Sequence, residues 1–238
     1  MRFEILCELD NKEVLVDYNR KILHCIKTVL QKYNDEIYEE YYESGAKEKD
    51  YSFSVYFPID KIENGVIYLT NNILKITISF LNMLEAVHFY NAFIKGKGKK
   101  ISFGEENNLK IISINKIREK EIQSETVIFK TMSPVLIREK LDGNKSWYYL
   151  LTEEKGMEVL KKNLKHTLSG KFSEEDIENL EIVPIQIRKT IVSFYDIKFQ
   201  SSKGAFFIRG NKKILEYFYK AGFGSKKSAG FGLLDIIK

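Results

Sequence analysis

The same order of strand-like and helix-like segments occurs in both halves of the chain, and this order restricts the folds open to it. In the first half, residues 2–9 alternate between apolar and polar side chains as a strand does, and residues 18–33 place apolar side chains at helical spacing. Further helices are predicted at 34–43 and 82–94. The other predicted strands of this half are 51–57, 66–70, 73–80 and 109–117. The first half therefore predicts a β-α-β-β-α-β unit.

The second half follows the same order. Thr152 is expected to cap a helix at 153–166, and Asn211 to cap a helix that ends before Gly222. The predicted strands are 126–130, 181–189, 191–200, 204–210 and 231–237. We therefore expect an α+β fold of two tandem ferredoxin-like (RRM-like, β-α-β-β-α-β) domains, residues 1–120 and 121–238, with a C-terminal glycine-rich loop.

The glycine-rich loop, residues 221–232, has the sequence AGFGSKKSAGFG. Glycine is favoured where φ is positive or where another backbone approaches closely, and the N–H groups of such a loop can face phosphate oxygens. The order of residues differs from that of a Walker loop, and a predicted strand follows where a dinucleotide-binding loop would lead into a helix. Phosphate binding and a purely structural turn both remain open. The candidate phosphate-binding residues here are Gly222, Gly224, Ser225, Lys226, Lys227, Ser228, Gly230 and Gly232, with both lysines expected to add positive charge at the tip of the loop.

Basic residues are concentrated near this loop. The net charge is +5, and the segment from Lys198 to Lys227 holds eight Lys/Arg residues and a single acidic residue, Glu216. A segment with this much positive charge is suited to binding the phosphate backbone of a nucleic acid. Further candidate RNA-binding residues are Arg188 and Lys189, interpreted as lying between two strands, together with Lys203 and Arg209.

Four stretches resemble one known family. The glycine-rich loop is similar to the C-terminal signature of the RAMP superfamily, and residues 131–138, 204–224 and 49–57 resemble its CRISPR repeat-processing endoribonucleases. The resemblance implies cleavage of precursor CRISPR RNA within each repeat, without a metal or cofactor. The implied partners are CRISPR repeat RNA and precursor CRISPR RNA, with other Cas proteins of an effector complex and a second copy of the chain as further candidates.

Metal-free RNA cleavage uses the ribose 2′-hydroxyl as nucleophile, and it needs a base, an acid and positive charge near the phosphorus. His24, on the first predicted helix, has Lys21 and Lys27 three residues away on either side. The resemblance implies a histidine in the first domain, which in many members lies on helix 1 or in the helix and loop after it. Residues 39–54 resemble the region of the later histidine but contain none, and the nearest candidates there are Tyr42, Lys47 and Lys49. His24 as the base, a slow Lys/Tyr set, and a protein that binds repeats without cutting them all remain open.

The remaining features are less informative. The N-terminal residues alternate as a strand, so no signal peptide is expected, and no apolar run reaches the roughly 18 residues of a membrane span. Cys7 and Cys25 have neither metal-ligand nor disulfide-framework spacing, so the cytoplasm is the expected location. The only tryptophan, Trp147, is expected to pack within a strand or hairpin.

Overall fold

The computed structural model describes residues 1–45, 48–104, 106–143 and 145–237. The helices are α1 (Tyr18–Tyr33), α2 (Asp35–Tyr42), α3 (Met83–Gly96), α4 (Glu154–Leu168), α5 (Glu174–Glu178) and α6 (Lys212–Ala221). The strands are β1 (Arg2–Leu9), β2 (Glu13–Leu15), β3 (Tyr51–Tyr56), β4 (Ile59–Glu63), β5 (Val66–Leu69), β6 (Ile73–Phe80), β7 (Lys100–Ser102), β8 (Asn108–Ile117), β9 (Thr126–Thr131), β10 (Ile137–Lys140), β11 (Ser146–Tyr149), β12 (Glu181–Phe194), β13 (Ile197–Arg209) and β14 (Leu234–Ile236).

The first half forms an antiparallel sheet with the order β3-β6-β1-β8-β7. Alternate residues of β1, from Phe3 to Leu9, are buried, because successive side chains of a strand point to opposite faces. The apolar stripe of α1 packs into the same core, and the predicted bounds of this helix are confirmed. The order of the four long strands is consistent with the predicted β-α-β-β-α-β unit. The short strands β2, β4 and β7 were not predicted, and β2-β5-β4 form a small separate sheet.

The second half forms an antiparallel sheet with the order β12-β13-β9-β14, which is consistent with a second unit of the same kind. A separate hairpin, β10–β11, is inserted before α4. Trp147 lies on this hairpin and is 57% exposed, so the expectation that it packs inside is wrong. No helix among the described residues is long and apolar enough to cross a membrane.

The long hairpin β12–β13 differs from the prediction, which divided the same residues into three strands. Arg188 and Lys189 lie inside β12 and not between strands. The turn is formed by Tyr195 and Asp196, with φ of 52° and 62°, and neither residue is a glycine that would have marked it. Gly204 lies inside β13 at a positive φ, opposite a register shift in β12, and a Cβ there would clash with a backbone carbonyl.

Helix ends follow the local sequence in two of three cases. The Asn211 side chain accepts a hydrogen bond from the Lys213 N–H at 2.9 Å, and Gly222 ends α6 with φ of 89°, as predicted. The predicted cap at Thr152 is wrong, because Glu153 occupies the N-cap position of α4. Its carboxylate accepts from the Leu150 N–H at 2.9 Å and so stabilises the preceding turn.

Each half has its own apolar core, and a third, smaller cluster joins the glycine-rich loop to the long hairpin. In this third cluster the Phe231 ring lies 5.7 Å from the Phe194 ring and 6.2 Å from the Phe199 ring. The domain boundary near residue 120 stays a prediction.

The glycine-rich loop packs directly against β3 of the first sheet. A Cβ on Gly222 would lie 2.6 Å from the Ser52 Oγ, and one on Gly230 would lie 2.5 Å from the Phe53 ring. Both glycines have positive φ, 89° and 90°. Close approach between the two halves therefore requires glycine at these positions, on grounds of space and of backbone conformation.

A compact array of four charges and one hydroxyl joins the two halves beside this contact. The Lys227 ammonium, on a side chain only 8% exposed, lies 3.3 Å from the Asp50 carboxylate and 3.4 Å from the Glu48 carboxylate. The Lys171 ammonium lies 2.9 Å from Glu48 and 3.6 Å from Asp50. The Tyr217 hydroxyl donates to Asp50 at 2.6 Å and accepts from both lysines, at 3.1 and 3.2 Å. We refer to these five residues as the ionic array.

The ionic array alters the acidity of its central carboxyl group. Burial by itself raises the pKa of Asp50, but the hydrogen bond from Tyr217 and the charges of Lys227 and Lys171 outweigh burial and hold the pKa below its usual value. A carboxyl group whose pKa is lower in the folded chain than in the unfolded chain stabilises the fold above its unfolded pKa. That stability is lost as the pH falls through the folded pKa.

A second contact between the halves involves Arg2, which is 2% exposed. Its guanidinium donates to the backbone carbonyls of Tyr219 and Leu234, at 2.9 and 2.8 Å, and lies 4.1 Å from the Tyr219 ring centroid. The start of β1 is thus attached to α6 and β14. The ionic array and the hydrogen bonds of Arg2 therefore both hold the two halves together.

We predict that Asp50→Asn lowers the free energy of unfolding by about 2 kcal/mol at neutral pH, because both lysines lose a partly buried counter-charge. The loss should shrink toward zero only as the pH falls through the lowered folded pKa of Asp50, because below that pKa the wild-type carboxyl is also neutral. Urea unfolding of both proteins across this pH range measures the difference.

Asp60→Asn is the matched control, because Asp60 is exposed and forms no ion pair within the described part of the chain. It should leave the free energy of unfolding within about 0.5 kcal/mol of wild type. A loss for Asp50→Asn that is equal at neutral and acid pH would contradict the electrostatic account.

Candidate nucleic-acid interface

A cleft of about 540 Å³ lies where the long hairpin meets α1. It is lined on the helix side by Arg20, Lys21, His24 and Lys27, and on the hairpin side by Tyr195. The Arg20 guanidinium lies 5.4 Å from the Tyr195 ring centroid and 3.8 Å from the Asp196 carboxylate. Side chains from both halves of the chain therefore line one basic cleft.

Two of the predicted lysines meet at one aromatic ring next to α1. The ammonium groups of Lys27 and Lys49 lie 4.6 and 5.3 Å from the centroid of the Tyr42 ring. Partial burial, and then the charge of Lys27, lower the pKa of Lys49. A lysine with a lowered pKa gives up its proton more readily than an ordinary lysine, so Lys49 suits proton transfer.

Tyr42 offers its ring and not its hydroxyl to this cluster. Its hydroxyl is 2.9 Å from that of the buried Tyr51, and burial, followed by this neighbour, raises the pKa of Tyr42 well above its usual value. Such a phenol is a poor base near neutral pH. The placement disfavours the catalytic role considered for Tyr42.

His24 lies on the exposed face of α1, one turn from Lys27. Its Nε2 is 3.5 Å from the Thr28 hydroxyl, a long contact that leaves the ring accessible. His24, Lys21 and Lys27 are therefore brought together as the helical spacing predicts. Lys47, the remaining catalytic candidate, lies outside the described residues.

The predictions for the glycine-rich loop need correction. Lys227 is not at an exposed tip, since its ammonium belongs to the ionic array, and the expectation that it meets phosphate is wrong. The N–H groups of Gly222, Gly230 and Gly232 donate to the carbonyls of the protein itself, so the expectation that they face phosphate is also wrong. The acceptors are the carbonyl oxygens of Phe218, Lys227 and Pro134.

The outer part of the loop remains accessible. Gly224, Ser225, Lys226 and Ser228 are half-buried. The Lys226 ammonium lies 5.2 Å from the Phe194 ring, near the tip of the long hairpin. Burial, and then the charge of Arg138, lower the pKa of Lys226. The like charge of Arg138 marks a local excess of positive charge that an anionic ligand would relieve.

The cations of the long hairpin are divided between its two faces. Arg188 is the cross-strand partner of Lys203, so these two share a face, while Lys189 points to the opposite face. Burial, and then the charge of Arg188, lower the pKa of Lys203. Arg209 is thirteen residues beyond Asp196 at the hairpin tip, roughly 40 Å away, and forms an ion pair with Glu181 at 3.3 Å. Arg209 is thus not brought to the cleft.

Several of these cations have no acidic partner. Within the described residues, Lys21, Lys27, Lys49, Lys203 and Lys226 take part in no ion pair.

Sequence reasoning missed two further cations, Arg20 and Arg138. Arg20 could have been found from its position four residues before His24, which places it on the same side of α1.

Comparison with known proteins gives the family. Residues 117–236 match the family model described as CRISPR associated protein Cas6, C-terminal. A protein of Pyrococcus furiosus, named a putative CRISPR-associated endoribonuclease-like protein Cas6, is 29% identical over 134 residues, which is 54% of each chain. The CRISPR-associated endoribonuclease Cas6 1 of Methanocaldococcus jannaschii is 32% identical over 111 residues, 45% of this chain and 44% of that protein. The chain thus spans about half the length of the curated relatives it matches.

Two solved structures share the fold over the whole chain. The product of a Cas6-related gene from Pyrococcus furiosus superposes with a TM-score of 0.85 at 24% identity, over 100% of this chain and 98% of that one. A protein described as an RAMP protein binding different RNA substrates gives 0.84 at 22% identity, over 100% of both chains. At these identities the likeness concerns the fold alone. The family model, in contrast, matches half of the sequence, and the chain therefore belongs to the family of CRISPR-associated Cas6 proteins.

Proposed function

We propose that this protein is a metal-independent endoribonuclease that binds CRISPR repeat RNA and cleaves precursor CRISPR RNA within the repeats. The observation that carries the proposal is the set of cations without acidic partners around His24, in a cleft to which both halves of the chain contribute. Membership of the Cas6 family agrees with it. The relatives in Pyrococcus furiosus and Methanocaldococcus jannaschii carry endoribonuclease in their names.

The proposed reaction is an internal transesterification. The imidazole of His24 takes the proton of the ribose 2′-hydroxyl, and the 2′-oxygen attacks the adjacent phosphorus. The bond from phosphorus to the 5′-oxygen breaks, and that oxygen receives a proton from the ammonium of Lys49. Lys27 stabilises the negative charge of the phosphorane. The products are a 2′,3′-cyclic phosphate and a 5′-hydroxyl, so the proton released by the nucleophile is matched by the proton given to the leaving group.

The two halves have different roles in this proposal. The first, residues 1–120, carries the reacting groups on α1 and beside β3. The second, residues 121–238, supplies binding charge through Arg138, Arg188, Lys203 and Lys226. Phosphate contacts from Gly224, Ser225 and Ser228 are part of the proposal, since these residues form the accessible part of the loop. Backbone contacts of this kind hold the RNA in register while unpaired bases supply sequence selectivity.

We predict cleavage in the presence of EDTA when the purified protein is incubated with RNA transcribed from the CRISPR repeats of its source genome. The product should end in a 2′,3′-cyclic phosphate, and a 2′-deoxy substitution at the scissile nucleotide should abolish cleavage. Denaturing gels and mass spectrometry of the ends measure both results.

Other outcomes would overturn the proposal in distinct ways. Cleavage that depends on Mg²⁺ and leaves a 3′-hydroxyl contradicts the mechanism. Tight binding without cleavage indicates an inactive repeat-binding protein. Failure to bind isolated repeat RNA indicates a structural subunit of an effector complex.

We predict that His24→Ala and Lys49→Met each slow single-turnover cleavage by about 100-fold, the effect expected when a general base or acid is removed. Affinity for the 2′-deoxy repeat RNA should change less than about fivefold, because many other phosphate contacts remain.

His166→Ala is the matched control, since His166 is exposed in the last turn of α4. It should leave the cleavage rate unchanged. If His24→Ala lowers affinity as much as it lowers the rate, His24 binds RNA and does not act as the base.

A further inference from the structure

Trp147 is exposed beside a groove that the proposed function does not use. Its side chain is 57% exposed, and no other aromatic ring among the described residues stacks on it. The groove has a volume of about 410 Å³ and runs between the β10–β11 hairpin and one face of the long hairpin. Lys189, Ile191 and Lys198 line it together with Trp147. A large aromatic ring left in water beside a groove indicates a surface that binds a ligand.

The strand beside this groove is held in place from its opposite face. Phe199 lies on the face of the long hairpin opposite Lys198, and its ring stacks on that of Tyr148 with centroids 4.2 Å apart and an interplanar angle of 10°. The Gln200 side-chain amide donates to the Tyr148 carbonyl at 2.9 Å. On the other side, Phe199 contacts Phe231 of the glycine-rich loop. Trp147 is therefore presented on a supported hairpin next to a rigid surface, so a ligand that stacks on it meets a preformed site.

The charge around Trp147 is positive. Lys189, Ile191 and Lys198 belong to one face of the long hairpin, because they occupy alternating or cross-strand positions. Both lysines are exposed, and neither forms an ion pair within the described residues. Two carboxylates also lie on or beside this hairpin: Glu139, the cross-strand partner of Trp147, accepts from the Tyr149 hydroxyl at 2.8 Å, and Glu153 accepts from the Leu150 N–H at 2.9 Å. Neither of them is paired with Lys189 or Lys198.

We propose that Trp147 is a stacking site for an unpaired base of the bound RNA, with Lys189 and Lys198 contacting the phosphates on either side of that base. Aromatic rings with adjacent cations are how proteins bind single-stranded nucleic acid, since each base has a face that can stack. A neutral apolar peptide would fill the groove but leave both lysines without a counter-charge, which favours RNA as the occupant. The inference rests on the proposed function, because it adds a second contact region for the same RNA, on the hairpin face opposite Arg188.

The chain's single tryptophan makes the test direct, because all tryptophan emission comes from this site. The probe is the uncleavable 2′-deoxy repeat RNA, with binding followed in parallel by the anisotropy of a fluorescein label. Tryptophan emission should be quenched along the same titration curve as the anisotropy. Trp147→Ala should weaken binding about tenfold, and Trp147→Phe, which keeps a stacking face, should weaken it less than about threefold.

Leu141→Ala is the matched control, since Leu141 is 45% exposed on the same hairpin and does not line the groove. It should bind as wild type does. Anisotropy that reports binding while tryptophan emission is unchanged and Trp147→Ala binds normally would overturn this inference and leave the proposed function intact. It would leave a protein partner as the alternative occupant of the groove. No anisotropy change with the wild-type protein would reject the proposed function itself, and the stacking site with it.

Discussion

The rest of the structure depends on the contact between the glycine-rich loop and the first sheet, where the ionic array neutralises two lysines with two carboxylates. A buried ammonium group is costly unless it is paired and hydrogen-bonded, and Lys227 has three polar partners within 3.4 Å. The glycines beside it let the backbone approach β3 closely enough for the array to close. This contact fixes the position of the two halves relative to each other. It therefore also determines the width of the cleft between α1 and the long hairpin.

The array also determines which side chain of the segment before β3 lies next to Lys27, a residue of the cleft. Glu48 and Asp50 flank Lys49, and both are held by cations of the second half, Lys171 and Lys227. Lys49 extends instead to the Tyr41 and Tyr42 rings and toward Lys27. In the short segment before β3, Glu48 and Asp50 therefore hold the two halves together, and Lys49 lies at the proposed site. The lysine that sequence reasoning assigned to phosphate, Lys227, has this structural task.

Features that depend on local sequence were predictable. The bounds of α1 follow from its apolar spacing, and the ends of α6 follow from Asn211 and Gly222, because both signals act within one turn. The turn at Tyr195–Asp196 was missed, since it lacks the glycine that usually marks positive φ. The role of Lys227 could not be read from its surroundings, because Asp50 lies 177 residues away in sequence. The opposite orientations of Arg188 and Lys189 became evident only once both were known to lie in one strand.

The central claim is that both halves form a single RNA-binding cleft, and cross-linking tests it most directly. The 2′-deoxy repeat RNA would be irradiated in complex with the protein, and the cross-linked peptides identified by mass spectrometry. The account predicts adducts on α1 and on the hairpin around Arg188 to Lys203 in the same complex. Adducts confined to the lysine-rich face of α4, with neither of those two elements labelled, would contradict it.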